Sequence, residues 1–275
     1  MRKIMVDTDI GSDVDDAMVL TALPTFTDLK VLGITCVYGD VELRGKIALS
    51  YTGGRYPVFK GESLPLYGSE PWHSGIEGFQ LEGLNSFAAA DGAIEFLLSE
   101  VNEHPGEIEI LAIGPLTNIA TAIKRDPSWS SKVKALYVMG GDFARDFAEH
   151  NFKCDSLAAQ IVFGADMRIW VMPLNVTRQV SIEIGDFDFL GDSALGKEIR
   201  QWATYRNVDF NNPHDLIALL MALEPDLFDF SGLGQVTVSE GGKCSHAELE
   251  RGRHKIVSDL DELAVRERVL QVLRK

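Results

Sequence analysis

Residues 7–17 read DTDIGSDVDDA, and aspartate fills five of the ten positions from 7 to 16: Asp7, Asp9, Asp13, Asp15 and Asp16. An apolar run, KIMV, precedes them, and a helical pattern, AMVLTAL, follows. Carboxylates crowded where a strand hands over to a helix repel one another, which raises their pKa values unless a cation compensates. One or two would need only a capping role, because an aspartate at a helix start satisfies free amides and favours the dipole. Asp13 is left as such a cap or as part of an inserted stretch, and Asp7 supports the others from the strand end. The rest point to a hard divalent cation, for which carboxylates and carbonyls are fitting ligands.

Common motifs for cations and phosphates do not fit this stretch. An EF-hand loop counted from Asp7 needs a glutamate where Met18 stands. No glycine-rich run ends in Lys-Ser or Lys-Thr, as a phosphate-cradling loop would. The Asp-x-Asp of haloacid-dehalogenase-type phosphotransferases is nearer, but that pattern expects Thr or Val at the position of Gly11. A Mg²⁺-dependent phosphatase of the Asp-x-Asp type is therefore the alternative reading.

The elements that must position these aspartates alternate along the chain. Short β-branched runs at 3–7, 30–39, 107–114, 135–141 and 168–174 read as strands. Helical patterns occupy 14–23, 43–52, 88–103, 116–124 and 156–164, and later 194–206 and 213–223. This alternation predicts an α/β fold with an open, mostly parallel sheet flanked by helices. The strands are nearly continuous apolar runs, as strands buried on both faces are. Several end in small or polar residues (DTDIGSD, YGD, IGPLTN, MGGD, PLNVT), which places a common site outside the carboxyl ends of the strands. Residues 232–261 alternate and are glycine-rich, and read as a small antiparallel excursion near the C-terminus. An amphipathic helix with basic residues at its end closes the chain. The 275 residues are expected to form a single domain, 1–275.

Composition narrows the function classes. The formal charge of −15 argues against a nucleic-acid partner, which needs a basic surface. No apolar run reaches the length of a membrane span, and MRKIMVDTD lacks the apolar core of a secretory signal. Cys36, Cys154 and Cys244 are odd in number and lie in or beside apolar segments. They are expected to be buried free thiols, which suits a reducing, cytoplasmic setting.

DTDIGSDVDDA resembles the signature of the inosine-uridine-preferring nucleoside hydrolases, Asp-x-Asp-Pro-Gly-x-Asp-Asp-Ala after the first strand. Here Ile10 stands where proline is usual, and two extra residues precede the final Asp-Asp. Further segments agree in order. GITCVYGDV (33–41) is similar to the family's second strand, with Asp40 for the usual Asn. ILAIGPLTNIATAI (110–123) resembles its Gly-Pro-Leu-Thr-Asn turn. VMGGDFARDFAEHNFKCDSLAA (138–159) is similar to Met-Gly-Gly, then Glu-Phe-Asn, then Asp-Pro-Glu-Ala-Ala; Glu149 and Asn151 take the Glu and Asn places, and His150 the Phe place. MPLNVT (172–177) fits a Pro-Leu-x-Val-Thr strand end, and PHDLIALLMALEPDLF (213–228) matches the late His-Asp.

The resemblance implies a nucleoside-hydrolase-like, Rossmann-related fold and one Ca²⁺ held by Asp9, Asp16, the Ile113 carbonyl and Asp215. It implies Asp9 as the base for an attacking water and His214 as donor to the leaving base. Asp15 would take a ribose hydroxyl, with Glu149 and Asn151 holding the ribosyl end. Asp40 would face the ribose as an acceptor in place of a donor. His73, two residues from the Pro71 that aligns with a family loop histidine, is a candidate pocket residue. The segment 140–149 is shorter than in familiar members. Trp72, Phe79, Phe143, Phe147, Trp202 and Tyr205 are candidates to stack a base. The expected substrate is a ribonucleoside, opened through an oxocarbenium-like state with inversion, and the expected assembly is a homodimer or homotetramer. A non-catalytic Ca²⁺- or nucleoside-binding protein is the remaining alternative.

Overall fold

The computed structural model describes residues 1–68 and 70–274. The first half runs β1 (Arg2–Thr8), α1 (Asp15–Ala22), β2 (Leu29–Cys36), α2 (Val41–Thr52), β3 (Val58–Lys60), β4 (Ala90–Asp91), α3 (Ala93–Glu103), β5 (Ile108–Ala112), α4 (Thr117–Arg125) and β6 (Ala135–Met139). The second half runs α5 (His150–Cys154), α6 (Ser156–Gly164), β7 (Ile169–Met172), α7 (Leu174–Thr177), β8 (Ile182–Glu183), α8 (Ala194–Arg206), β9 (Phe210–Asn211), α9 (His214–Leu223), β10 (Phe228–Phe230), β11 (Gly234–Val238), β12 (Cys244–Glu248), β13 (His254–Leu260) and α10 (Glu262–Leu273).

One sheet has the order β12-β11-β13-β7-β6-β5-β1-β2-β3-β4, with β10 paired antiparallel to β13. From β7 to β4 every pairing is parallel. Side chains on successive strand residues point to opposite faces, and both faces are apolar. Ile4 and Val6 of β1, Leu111 of β5, and Ala135, Tyr137 and Met139 of β6 join a core that includes α1 and α9 residues. Met5, Ile108, Ile110, Leu136 and Val138 join the opposite core, with residues of α3, α4 and α6. The continuous apolar runs of the sequence are thus the two-sided burial of a parallel sheet.

The chain order creates the crevice. From β1 the chain adds β2, β3 and β4 on one side, then returns to place β5, β6 and β7 on the other. The switch in direction falls between β1 and β5, where open α/β sheets bind ligands.

Two local expectations change. The helix expected from residue 88 begins at Ala93, after the short β4. β7 stops at Met172, and Leu174–Thr177 is a helical turn, not strand end. The glycine-rich 232–261 segment holds the expected small antiparallel element, and it is joined to the main sheet. β11 and β12 form a hairpin on the sheet edge, and β13 pairs parallel with β7. The small separate sheet is β8 with β9.

Candidate active site

Beyond β1 the backbone turns through Gly11 at φ +118°, a conformation that favours glycine. Thr8 stabilises this turn: its hydroxyl accepts from the Ile10 amide at 3.1 Å and donates to Asp16. Asp7 stays under the turn. Its Oδ1 accepts from the Thr35 hydroxyl at 2.5 Å and from Asn118 Nδ2 at 2.7 Å, while its buried Oδ2 has no partner among the described residues. Burial pushes the Asp7 carboxyl up to about 7, against those hydrogen bonds.

Two helix starts meet at the crevice. Asp15 and Asp16 occupy the first turn of α1, and Asp215 the first turn of α9. Carboxylate oxygens of these three lie within 4.8 Å of one another, and all three side chains are buried. The Asp215 amide donates to Asp15 Oδ2 at 3.3 Å. Desolvation holds all three carboxyls well above the usual range, and the charges of their aspartate neighbours push the same way. A buried, oxygen-only donor set under mutual repulsion fits a hard cation such as Ca²⁺ or Mg²⁺.

Asp9 is not among that trio, although its charge is the largest of those raising Asp16. It rests at the end of β5. A Cβ added to Gly114 would come within 2.8 Å of Asp9 Oδ1 and 2.9 Å of its amide nitrogen, so any side chain at 114 would displace it. Of the expected metal ligands, Asp16 and Asp215 come together directly, and Asp15 joins them. The carbonyl of Ile113 lies next to Gly114 and accepts from Asn151 Nδ2 at 3.2 Å. Asp13 does not cap α1: Val14 is the N-cap, and among the described residues Asp13 Oδ1 accepts only from the adjacent Val14 amide at 2.6 Å. Desolvation pushes the Asp13 carboxyl up to about 7.

The remaining expected residues divide. Glu149 caps α5, and its buried carboxylate accepts from the amides of Gly141, Asn151 and Phe152 at 3.0, 2.8 and 3.2 Å. Desolvation raises its pKa against these bonds. The side chain of Asn151 also donates to the Met139 carbonyl, so this pair links the ends of β5 and β6. His214 Nδ1 pairs with the Thr177 hydroxyl at 2.6 Å. Burial pushes His214 down to about 3, helped by Arg178 and Arg206. Burial therefore favours the neutral imidazole at this position. Asp40 is exposed, and its carboxylate caps α2 by accepting from the Leu43 amide at 2.9 Å. His73 is exposed too, but its ring packs over Gly39 at the end of β2.

Among the aromatic candidates, Trp202 is buried and stacks on Tyr205 with centroids 5.4 Å apart, while Phe143 is half-buried. Trp72, Phe79 and Phe147 are exposed. Of the three cysteines only Cys36 is buried; Cys154 and Cys244 are half-buried.

Sequence reasoning missed four residues that hold the site. Asn118 and Thr177 lie inside quoted segments but carried no assigned role. Asp155 is wholly buried and accepts from the Leu66 amide, the Thr117 hydroxyl and the Ala158 amide, at 2.7, 2.7 and 3.0 Å. It ties the long segment after β3 to α4 and α6. Arg44 is buried and donates to the carbonyls of Asp9, Ile10 and Tyr38. Nothing in the α2 sequence marks it, because an arginine in an amphipathic helix ordinarily faces solvent.

The raised carboxyls set a direction for pH dependence. Asp7 binds its proton more tightly folded than unfolded, so its contribution is complete below the unfolded pKa and is lost as pH rises through about 7. The metal-free protein is expected to melt several degrees lower at about pH 8 than at about pH 5. Asp7→Asn should shrink that difference. Thermal scans at both pH values check this, and an undiminished difference in the variant would exclude Asp7 as its source.

The chain is similar to known proteins over nearly its whole length. The family model described as inosine-uridine preferring nucleoside hydrolase matches residues 4–271. A probable uridine nucleosidase 2 of Oryza sativa subsp. japonica is 34% identical over 288 residues, covering 94% of this chain and 85% of the relative. Uridine nucleosidase 1 of Arabidopsis thaliana is 33% identical over 280 residues, covering 91% and 82%. The solved structure of a plant nucleoside hydrolase superposes with a TM-score of 0.79 at 29% identity, covering 99% of this chain and 98% of that one. With the aspartates converging at the β1/β5 switch and a match over nearly its whole length, the chain belongs to the inosine-uridine preferring nucleoside hydrolase family.

Proposed function

We propose that this N-glycosyl hydrolase acts as one unit over residues 1–275, cleaving ribonucleosides to ribose and free base with inversion and with Ca²⁺ as its metal. The observation that carries the reading is the buried trio Asp15, Asp16 and Asp215 at the strand switch, with Asp9 beside it at the end of β5. Asp9, Asp16, Asp215 and the Ile113 carbonyl would hold the ion. When bound, the cation grips sugar hydroxyls and makes a nearby water easier to deprotonate.

The chain's own groups do the rest. Asp9 accepts the proton of the attacking water. Asp15 accepts a hydrogen bond from a ribose hydroxyl, and Glu149 and Asn151 hold the ribosyl end as positive charge develops there. His214, oriented by Thr177, donates to the departing base. Asp40, next to Gly39, and His73, whose ring packs over Gly39, are assigned to the rim of the site, with Asp40 toward the sugar. Among the described residues no helix is long and apolar enough to cross a membrane. The proposed setting is cytoplasmic, which the three free cysteines support. A homodimer or homotetramer is proposed from the family resemblance alone.

The test is ribose release from uridine, inosine and p-nitrophenyl riboside, with and without chelator. Uridine is the first substrate to try, given what the relatives are named for. Turnover should appear with at least one member of the panel, vanish on chelation and return with Ca²⁺. Protein that holds Ca²⁺ yet turns over no nucleoside would sink the proposal.

A further inference from the structure

Arg44 sits in the second turn of α2 and is only 2% exposed. A buried guanidinium is ordinarily matched to a carboxylate. This one is not. Nε donates to the Tyr38 carbonyl at 2.5 Å. One terminal nitrogen donates to the carbonyls of Asp9 and Ile10, the latter at 2.8 Å, and the other to the Ser12 hydroxyl at 3.2 Å. All four hydrogen bonds go to backbone carbonyls and a hydroxyl, and they reach two separate strand ends.

Both strand ends pass through positive-φ backbone, which is strained at Tyr38. Gly11 lies at φ +118°, and Tyr38, a bulky residue, lies at φ +64° and is followed by Gly39 at φ +81°. A residue like Tyr38 in the left-handed region is strained, and such strain survives only where the surroundings over-determine it. The planar fork of Arg44 satisfies carbonyls on both sides at once: Asp9 and Ile10 ahead of Gly11, and Tyr38 ahead of Gly39.

We propose that Arg44 is a positioning residue for the metal loop, locking Asp9–Ser12 to the end of β2 so that the Asp9 carboxylate is presented to the cation. This inference rests on the proposed metal-dependent function. Charge and geometry make opposite demands here, which makes the role testable. By charge alone, a cation beside the site weakens Ca²⁺ binding, and its removal tightens it. By geometry, loss of the fork lets Asp9 swing away, and binding weakens. Lysine keeps the charge but has no planar fork to span these acceptors, so Arg44→Lys isolates the geometric part.

The experiment titrates Ca²⁺ calorimetrically into chelator-stripped wild type, Arg44→Lys and Arg44→Met, each confirmed folded by circular dichroism. Both variants should lose about tenfold or more in Ca²⁺ affinity, and kcat should fall even at saturating Ca²⁺. Affinity within about twofold of wild type, or tighter binding in Arg44→Met, overturns the proposal. If neither variant folds, Ser12→Ala removes one contact of the fork. It should weaken Ca²⁺ binding by about fivefold, and unchanged affinity there overturns the proposal instead. Wild-type protein that binds no Ca²⁺ overturns the proposed function, and the role of Arg44 with it. Wild-type protein that binds Ca²⁺ and cleaves nucleosides alongside unaffected variants overturns the role of Arg44 alone.

Discussion

Replacing Asp9 by asparagine should reduce kcat by about 10⁴-fold at saturating Ca²⁺ while leaving the fold intact. Asparagine has the same shape, so it keeps the packing against Gly114 that admits no added atom. Its amide oxygen can still ligate a cation, but it cannot accept the proton of the attacking water. Working at saturating Ca²⁺ separates the two duties assigned to Asp9: a ligand defect is overcome by added metal, and a base defect is not. Steady-state assays across a Ca²⁺ series, with circular dichroism on the same preparations, make the measurement. A variant that recovers near wild-type kcat once Ca²⁺ is raised would leave Asp9 a ligand only and move the base elsewhere.

Asp215→Asn should have the second largest effect, and its sign differs between metal-free and metal-bound protein. Asp215 brings a carboxylate into a buried trio whose members repel one another. Its pKa is raised in the folded state, so the penalty for holding it ionised grows as pH rises above the unfolded value. Without metal at about pH 8, the variant should melt higher than wild type, because the repelling charge is gone. With Ca²⁺ the order should reverse, since the variant lacks an anionic ligand and gains less from binding. Affinity should drop by about 10²-fold or more, as ligand charge strongly tunes Ca²⁺ sites. Thermal scans with and without Ca²⁺ read both signs in one experiment. A metal-free variant less stable than wild type would mean that Asp215 serves the fold, not a cation.

How far the sequence could be read depended on how local each feature was. The aspartate loop and α1 were legible because strand, turn and helix start lie within twenty-two residues of the N-terminus. The parallel sheet was legible from nearly continuous apolar runs such as IEILA and ALYVM, since both faces are covered. The edge at 228–260 was not. Alternation is the same for a free ribbon as for strands added to a sheet, and only the long-range pairing of β13 with β7 decides between them. Asp215 was reached through a family resemblance. Its distance from Asp15, two hundred positions along the chain, leaves no local pattern to read. Glu149 could be picked out in the sequence only through the resemblance, and its threefold hold on backbone amides could not, because hydrogen-bond partners are set by folding.

By itself, the sequence determined the chemical types: an excess of carboxylates at the first strand end, an oxygen-rich donor set, and strands fit for a two-sided core. The tertiary structure decided which of those carboxylates share one space. It placed Asp15 with Asp16 and Asp215, set Asp9 against Gly114, and turned Asp13 back to its neighbouring amide. It also drew a buried arginine from α2 under the loop. The physical reason is that like charges converge only where helix starts, a strand switch and a rigid backbone hold them together. Those constraints come from contacts between distant parts of the chain, which local spacing does not encode.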